Sequence, residues 1–481
     1  MNYKMVVYLL GRILLIMALL MCLPLAVAIL YREDTCMGFF AAVLAQLTLG
    51  LGFSLRKPKN TEIYAKEGFM IVAICWLLTS VFGALPFFVS GEIPSFADAF
   101  FETVSGFTTT GASILGEPEA LSYSALFWRS FTHWIGGMGV LVFVLALMPK
   151  SHATQSMYIA RAEMPGPQVG KLVSRLRSTA QILYGIYIAL TALEVVCLML
   201  AGMPFFDSLL NSFSTAGTGG FCLKNASIAA YDSVAIDMII GVFMILFGIN
   251  FSLFYLVLTG NVLQALKSEE LRWYLGIIAV ASVLIAINIM PQYTGFWQAL
   301  RYSAFQVSSL ITTTGFITAD YSKWPVFSQT ILILLMFVGA CAGSTGGGIK
   351  VSRILILIKS SICELRHQLR PRSVTTITLE GKLIDSEVIS SVMSYMALYF
   401  FIFIISQLLL SLDAFSYVTN FTAVTTCINN VGPGLGSIGP VDNFSIFTPF
   451  SKIVLSFDML AGRLELLPIA MLFMPSTWKR R

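Results

Sequence analysis

Residues Phe107–Ala112 read FTTTGA, and residues Ile311–Phe316 read ITTTGF. Three threonines before a glycine are costly to place in a chain of which 57% of the residues are hydrophobic. The motif recurs twice more in altered form, so that the four aligned segments read TTTGA, GTGGF, TTTGF and NNVGP. The glycines that align these segments are Gly111, Gly220, Gly315 and Gly432. An internal repeat indicates architecture more strongly than a local motif does, so four related units are expected.

The composition indicates a membrane protein. Charged residues make up 11% of the 481 positions, whereas soluble domains carry about 25% because their surface faces water. A helix that crosses a bilayer needs about 20 apolar residues, and such stretches recur along the chain. The predicted spans are residues 8–30, 36–54, 68–90, 124–148, 180–202, 234–258, 273–290, 325–358, 388–411 and 446–474. The first is long for a signal peptide and no small-residue cleavage site follows it, so we interpret it as a retained helix.

The basic residues predict the orientation of the chain. Most of the 30 lysines and arginines lie before the first span, after the second, fourth, sixth and eighth spans, and at the C-terminus. The positive-inside rule places these segments and both termini in the cytoplasm, so the net charge of +5 requires no nucleic acid. The eight cysteines are scattered without a CxxC pair and predict neither a disulfide framework nor a metal site.

The expected fold is an all-α polytopic membrane protein with four pseudo-symmetric repeats around one central pore. Each repeat consists of a span, a short re-entrant pore helix, a polar glycine loop and a second span, and two extra spans precede the first repeat. The predicted units are residues 1–60 (the two extra spans), 61–160, 161–265, 266–375 (with a broken gating helix) and 376–481.

Polar loops of this kind favour a cation. Irregular backbone at membrane depth persists only where it is buried in protein or lines a water-filled path. A short helix that ends there directs its partial negative charge at the loop, and glycine lets successive carbonyls point to one side. Four such loops around an axis would give a ring of carbonyl oxygens that can replace the hydration shell of an ion. The alternative is four turns that only cap their helices.

The chain resembles the Trk/Ktr/HKT potassium-transporter superfamily, and within it the bacterial Trk-type uptake membrane subunits. The motifs that carry the resemblance are TTTGA, the GGF of the second loop, TTTGF, NNVGPGLG, GACAGSTGGGIKVSR at 339–353 and MLAGRLEL at 459–466. The resemblance implies potassium binding by the carbonyls of Thr109, Thr110, Thr218, Gly219, Thr313, Thr314, Asn430 and Val431, beside the four filter glycines. Glycine at all four filter positions fits the potassium-selective members, whereas a serine at the first would suggest sodium transport.

The segment at 339–353 is similar to a phosphate-binding loop, but it lacks the Gly-Lys-Ser/Thr succession of that motif. Its glycines instead predict an unwound stretch within the eighth span, as in discontinuous helices near transport sites; close packing of helices through small residues is the alternative. The resemblance implies a gating loop below the filter. The residues of this predicted gate are Gly343, Ser344, Thr345, Gly346, Gly347 and Gly348.

Arg463 is the second costly feature, because a charged side chain within a span is expected to face protein or water. Asp458 and Glu465 are near in sequence, and an ion pair with one of them is one explanation. The resemblance instead places Arg463 in the pore below the filter, where it would repel cations. Both explanations can hold together.

The sequence contains no Ser/His/Asp, HExxH or paired-carboxylate pattern, so an enzyme is not expected. His133 is interpreted as a packed or interfacial residue. Acidic residues before and after the first loop predict an acidic outer mouth, with solvated carboxylates as the default interpretation. They are Glu92, Asp98, Glu102, Glu117 and Glu119.

The predicted function is potassium uptake across the cytoplasmic (inner) membrane, with K⁺ as the transported ion and no organic cofactor in this chain. A proton- or sodium-coupled symporter is the alternative within transport, and a membrane scaffold or receptor is the alternative from another class. The resemblance also implies a homodimer and a cytoplasmic nucleotide-binding regulatory subunit of the TrkA type. The basic segment 359–382 is a candidate docking site for that subunit.

Overall fold

The computed structural model describes residues 2–60, 63–139, 176–371 and 376–475, and most of them are helical. The helices are α1 (Tyr3–Tyr31), α2 (Cys36–Ser54), α3 (Ala65–Ser90), α4 (Phe96–Phe107), α5 (Tyr123–Gly137), α6 (Leu176–Leu200), α7 (Phe205–Gly217), α8 (Val234–Phe247), α9 (Phe251–Leu258), α10 (Val262–Leu266), α11 (Glu269–Ile289), α12 (Phe296–Ile311), α13 (Val326–Val338), α14 (Val351–Leu369), α15 (Ser386–Leu410), α16 (Tyr417–Asn429), α17 (Pro449–Arg463) and α18 (Leu467–Phe473). An antiparallel hairpin of β1 (Thr378–Leu379) and β2 (Lys382–Leu383) lies between α14 and α15. The predicted all-α membrane class is confirmed.

Six helices in the described part of the chain are long and apolar enough to cross a bilayer, and the bent pair α8–α9 would make a seventh. They are α1, α2, α3, α6, α11 and α15. Each coincides with a predicted span to within a few residues. The last nine residues of the predicted span 124–148, and the stretch that follows it up to residue 175, lie outside the described residues.

Two predicted continuous spans are wrong. The span predicted at 234–258 bends by 94° between α8 and α9, where Asn250 accepts a hydrogen bond from Ser252 N at 2.9 Å and so begins a new helix. The span predicted at 446–474 stops at Arg463, because Glu465 and Leu466 have positive φ angles of 59° and 64°, which a right-handed helix cannot contain. Arg463 therefore lies at a helix end rather than mid-span.

Four short helices, α4, α7, α12 and α16, precede the four polar loops. They contain 12, 13, 16 and 13 residues, which at 1.5 Å per residue is about 18–24 Å, too short for a hydrocarbon core of about 30 Å. Serines cap two of them, since Ser95 and Ser416 accept hydrogen bonds from backbone N–H groups of the first turn. These helices correspond to the predicted re-entrant pore helices.

The segments that follow the four polar loops are joined by hydrogen bonds in a closed order. Asn225 N donates to Glu119 at 2.7 Å, and Ala229 N donates to Ile317 O at 3.1 Å. The third segment is joined to the fourth by Tyr321, whose hydroxyl donates to Gly434 O at 3.1 Å. The fourth returns to the first through Phe444 N, which donates to Ser113 O at 2.8 Å. The four repeats therefore surround a common axis in chain order.

Candidate functional site

The four polar loops share one backbone conformation at their aligned positions. The residue two before each glycine is left-handed although it carries a side chain, which is rare for such residues. These residues are Thr109, Thr218, Thr313 and Asn430, with φ of 56°, 55°, 59° and 56°. The glycines Gly111, Gly220, Gly315 and Gly432 follow with φ of 79°, 79°, 84° and 97°. The altered second loop therefore has the same register as the two TTTG loops.

In each loop, one backbone N–H group forms a hydrogen bond with the end of the short helix that precedes the loop. The residue before the glycine donates its N–H to a carbonyl near the helix end. These bonds are Thr110 N to Ser105 O at 2.9 Å, Gly219 N to Ser214 O at 2.8 Å, Thr314 N to Ser309 O at 2.8 Å and Val431 N to Thr426 O at 2.9 Å. Because a trans peptide group is planar, the carbonyl of the preceding residue then points away from the helix. Four equivalent carbonyls are oriented in this way.

The glycines bring the loops into contact as a ring. A methyl group on any of the four would overlap a carbonyl oxygen of the next loop. Gly111 faces the carbonyl of Gly219, Gly220 that of Thr314, Gly315 that of Val431, and Gly432 that of Thr110. The ring closes on itself, and each contacting carbonyl belongs to the residue immediately before one of the four aligned glycines.

Hydrogen bonds between side chains of the loops also hold the ring in place. In the first loop the Thr108 and Thr110 hydroxyls lie 2.8 Å apart, and the Thr312 and Thr314 hydroxyls of the third loop repeat this contact at 2.8 Å. Asn430 joins the fourth loop to the first, because its Nδ2 donates to Thr110 Oγ1 at 2.9 Å. These hydroxyl and amide groups are buried, so their hydrogen bonds replace water that they have lost.

The glycine-rich segment between α13 and α14 lies directly against the ring. Gly347 N donates to Thr313 Oγ1 at 2.6 Å, and Gly348 N donates to Asn429 O at 3.0 Å. Gly339, Gly343 and Gly348 have φ of 71°, 71° and 73°, which explains why the helix cannot continue here. Of the predicted gate residues, the structure thus brings Gly346, Gly347 and Gly348 beside the third and fourth loops, whereas Gly343 is exposed. Thr345, Gly346 and Gly347 are fully or almost fully buried there, and so is Ser344.

The break between α8 and α9, which the sequence analysis missed, contacts this segment. Cys341 N donates to Gly248 O at 3.1 Å, and Phe251 N donates to Gly343 O at 3.1 Å. Thr345 Oγ1 donates to Phe247 O at 3.2 Å. Each break therefore satisfies backbone groups that the other leaves without a helical partner. The signal in the sequence was the Gly-Ile-Asn triplet that starts at Gly248.

Glu270 was also missed. Its Oε1 accepts hydrogen bonds from Ala342 N at 2.8 Å and from Ser352 N at 3.1 Å. These two N–H groups lie near the two ends of the broken segment, so one buried carboxylate on α11 fixes both. The sequence offered only an acidic residue at a helix N-terminus, which is also typical of an ordinary helix start.

Arg463 joins three repeats. Its Nη1 donates to Thr345 O at 2.8 Å, and its Nη2 donates to Gly137 O at 2.7 Å and to Gly136 O. Thr345 belongs to the third repeat, the two glycines end α5 of the first repeat, and Arg463 ends α17 of the fourth. A side chain that bridges these repeats lies close to their common axis.

The predicted ion-pair partners of Arg463 make other contacts. Glu465 pairs with Arg353 of α14, and Arg353 also stacks on the Tyr395 ring at 4.0 Å from its centroid. Asp458 accepts a hydrogen bond from Ser406 Oγ at 2.6 Å. The expected pairing of Arg463 with Asp458 is wrong, because the side chain of Arg463, at the end of α17, reaches backbone carbonyls instead.

The predicted acidic mouth is wrong for Glu102. This carboxylate is 1% exposed and forms a buried ion pair of 2.8 Å with Arg129, while Ile114 N and Ser113 Oγ donate to it at 2.9 Å. It therefore supports the segment after the first loop. Asp98 likewise pairs with Lys452 at 2.6 Å. All four aligned glycines line one cavity.

Comparisons with known proteins identify the family of the chain. The family model TrkH, described as "Cation transport protein", matches residues 35–480. The chain is 36% identical over 487 residues to the "Trk system potassium uptake protein TrkH" of Salmonella typhimurium, with 100% of each chain covered. It is 33% identical to the "Trk system potassium uptake protein TrkG" of Escherichia coli, with 99% of each covered.

A solved structure, "Crystal Structure of the Potassium Transporter TrkH from Vibrio parahaemolyticus", superposes with a TM-score of 0.90. The two chains are 32% identical and each is covered over 100% of its length. The chain belongs to the TrkH family of cation transport proteins, which are transporters rather than enzymes.

Proposed function

We propose that this chain takes up potassium through the ring of four loops. The ion is coordinated by the carbonyls of the two residues before each glycine. These residues are Thr109, Thr110, Thr218, Gly219, Thr313, Thr314, Asn430 and Val431. The observation that carries the proposal is the closed contact between each filter glycine and a carbonyl of the next loop.

Physical chemistry supports a cation as the occupant of the ring. Four helix C-termini converge on it, and their partial negative charges favour a positive ion. A ring of carbonyl oxygens can replace the hydration shell of potassium at low cost. The full-length relatives named as potassium uptake proteins support potassium rather than another cation.

The gate of this proposal is the segment Gly343–Gly348 together with Arg463. The segment bonds to the third and fourth loops, and Arg463 of the fourth repeat donates a hydrogen bond to Thr345 O. In this state the segment obstructs the path below the ring. Movement of the segment away from the loops opens the path.

The proposal extends to the setting of the protein. The chain lies in the cytoplasmic (inner) membrane with both termini in the cytoplasm, as the distribution of basic residues supports. It forms a homodimer and binds a cytoplasmic nucleotide-binding regulatory subunit of the TrkA type. The four repeats follow the unit boundaries predicted from the sequence.

Purified protein in liposomes provides the test. Under a potassium gradient we expect uptake of K⁺ or Rb⁺ and a reversal potential that follows the potassium gradient alone. A reversal potential that shifts with an imposed proton or sodium gradient would indicate a coupled symporter. Folded protein that carries no ion in either condition would indicate a scaffold and contradict the proposal.

A further inference from the structure

The second loop differs from the first and third loops in the side chains that support its backbone. The first and third loops each carry a pair of threonines whose hydroxyls contact each other at 2.8 Å. At the two equivalent positions the second loop has Gly217 and Gly219. The second loop therefore has two more glycines than the other loops. Its backbone should be the least constrained of the four, because glycine has the largest conformational freedom.

His133 of α5 occupies the space that those side chains leave. The residue is fully buried. A methyl group on Gly219 would overlap the imidazole ring of His133, and one on Gly217 would overlap its backbone carbonyl. Within the GTGG sequence, the side chain of His133 therefore explains the glycine at 219, and its backbone carbonyl explains the glycine at 217.

The imidazole also connects two repeats by hydrogen bonds. Its Nδ1 lies 2.7 Å from Gly106 O, near the end of α4, and its Nε2 lies 3.2 Å from Phe221 N, which follows the filter glycine of the second loop. A carbonyl only accepts and a backbone N–H only donates, so the ring is neutral with its hydrogen on Nδ1. The Phe221 ring packs on it with centroids 4.2 Å apart.

The same face of α5 brings the first two loops together. Gly136 and Gly137 lie three and four residues after His133 and so share its face. A methyl group on Gly136 would overlap Phe107 O, and one on Gly137 would come within 2.7 Å of the Gly217 Cα. Close approach through these glycines places the imidazole between the ends of α4 and α7.

We propose that His133 is a positioning residue that sets the ion selectivity of the second loop. It replaces the threonine pair of the first and third loops and fixes the Gly219 carbonyl, which closes the ring against Gly111. This inference depends on the proposed function, because it assumes that the four loops form the filter.

Two amide substitutions separate the two hydrogen bonds of the ring. Asparagine can place a donor near the position of Nδ1, whereas glutamine, one methylene longer, can place an acceptor near that of Nε2. We expect His133→Gln to keep the K⁺/Na⁺ permeability ratio within about threefold of the parent, and His133→Asn and His133→Ala to lower it about tenfold, because they strand Phe221 N. The measurement is the bi-ionic reversal potential of purified protein in liposomes.

Trp128→Phe is the matched control. Trp128 is fully buried on the same helix and its indole N–H donates to Gly83 O at 3.0 Å, away from the second loop. We expect this variant to lose stability without a change in the permeability ratio. Equal ratios for the asparagine and glutamine variants would contradict the proposal, as would a parental ratio in folded His133→Ala.

A rescue experiment tests the replacement directly. Gly219→Thr restores the residue found at the equivalent positions of the first and third loops, Thr110 and Thr314, but it overlaps the imidazole. We expect the single variant to lose selectivity and the double variant with His133→Ala to recover part of it. If the K⁺/Na⁺ permeability ratio of the double variant is no higher than the ratios of the two single variants, the proposal is contradicted.

Gly111→Ser separates a failure of the inference about His133 from a failure of the filter proposal. If it lowers the permeability ratio while all His133 variants keep the parental value, the inference about His133 is wrong and the filter proposal stands. If neither change affects the ratio, the filter proposal itself is wrong.

Discussion

The ring of four loops and the segment beneath it are both irregular backbone at membrane depth, but they are held in different ways. Each loop of the ring is fixed locally, by an N–H that returns to its own short helix, and by contact with the next loop. The broken segment is held mainly by groups that are remote in sequence, namely the side chains of Glu270, Thr313 and Arg463 and the backbone of the α8–α9 break. A structure with many local constraints keeps its geometry, whereas one held by a few long-range bonds can be released.

This difference agrees with what each region must do under the proposed function. Selectivity requires carbonyls at constant positions, which four equivalent local bonds provide. Gating requires two states whose free energies differ by only a few kcal/mol. Each bond of the broken segment is of the size that supports such a balance, since leaving one buried partner unsatisfied costs about 1–3 kcal/mol.

The largest effect is expected from a change in the ring itself. Gly111→Ser places a side chain against the Gly219 carbonyl and also a non-glycine residue at φ of 79°. We expect the K⁺/Na⁺ permeability ratio to fall at least about tenfold, which corresponds to about 1.4 kcal/mol. The measurement is the bi-ionic reversal potential in liposomes.

Gly116→Ser is the matched control for that prediction. Gly116 lies five residues further along, and a methyl group there would meet only Asn443 Nδ2 at 3.7 Å. We expect the parental ratio. Equal ratios for both variants and the parent would remove the first loop from the filter.

Deletion of Gly346–Gly348 tests the region that is held by distant bonds. The deletion removes the N–H groups that donate to Thr313 Oγ1 and Asn429 O. If the segment obstructs the path, basal Rb⁺ uptake should rise while the permeability ratio stays at the parental value. Lower uptake by well-folded protein would indicate a structural role instead.

Arg463 should give the next largest effect. Two unit charges about 4 Å apart interact by about 4 kcal/mol at an effective dielectric of 20, so a fixed arginine slows a passing cation. Arg463→Gln removes the charge and keeps a donor for the carbonyls of Thr345 or Gly137. We expect uptake to rise roughly tenfold or more with an unchanged permeability ratio.

Arg463→Lys is the control that keeps the charge, and its uptake should stay near the parental rate. The yield and melting temperature of each variant establish that it is folded. Unchanged or reduced uptake by folded Arg463→Gln protein would contradict the proposal that the charge of Arg463 is a barrier to cations.

The same contrast explains what could be predicted from the sequence. The ring was predictable because its constraints are local and repeated, so the same residue types recur at Gly111, Gly220, Gly315 and Gly432. The fourth loop shares only its glycine with the TTTG motif, yet its backbone follows the same course. The all-helical class followed from the apolar stretches for a similar reason.

The contacts of the broken segment were not predictable because their partners are remote. Glu270 lies 72 and 82 residues from the N–H groups that it binds. Arg463 has carboxylates two and five residues away in sequence, but its side chain donates to carbonyls 118 and 326 residues away. The turn at Glu465 and Leu466 ends the helix, and this places Arg463 next to the remote carbonyls rather than next to the nearby carboxylates.

Glu270 is expected to give the smallest effect, because it holds the segment at its ends rather than within the path. Glu270→Ala leaves Ala342 N and Ser352 N without their acceptor. If the closed arrangement loses about 1 kcal/mol relative to the open one, the low end of the cost of a stranded buried group, basal uptake should rise several-fold. Glu270→Gln keeps an oxygen acceptor and should remain close to the parental rate.

Its neighbour in sequence provides the matched control, because Glu269 bears the same carboxylate but pairs with Lys359 at 2.6 Å on a partly exposed surface. Such a pair contributes about 0–1 kcal/mol, so Glu269→Ala should leave basal uptake unchanged. Rb⁺ uptake and melting temperature should be measured together for the three variants. A lower melting temperature with parental uptake in Glu270→Ala would show that this carboxylate stabilises the fold without holding the gate. Raised uptake in Glu269→Ala as well would show that the helix end, rather than the two hydrogen bonds of Glu270, controls the segment.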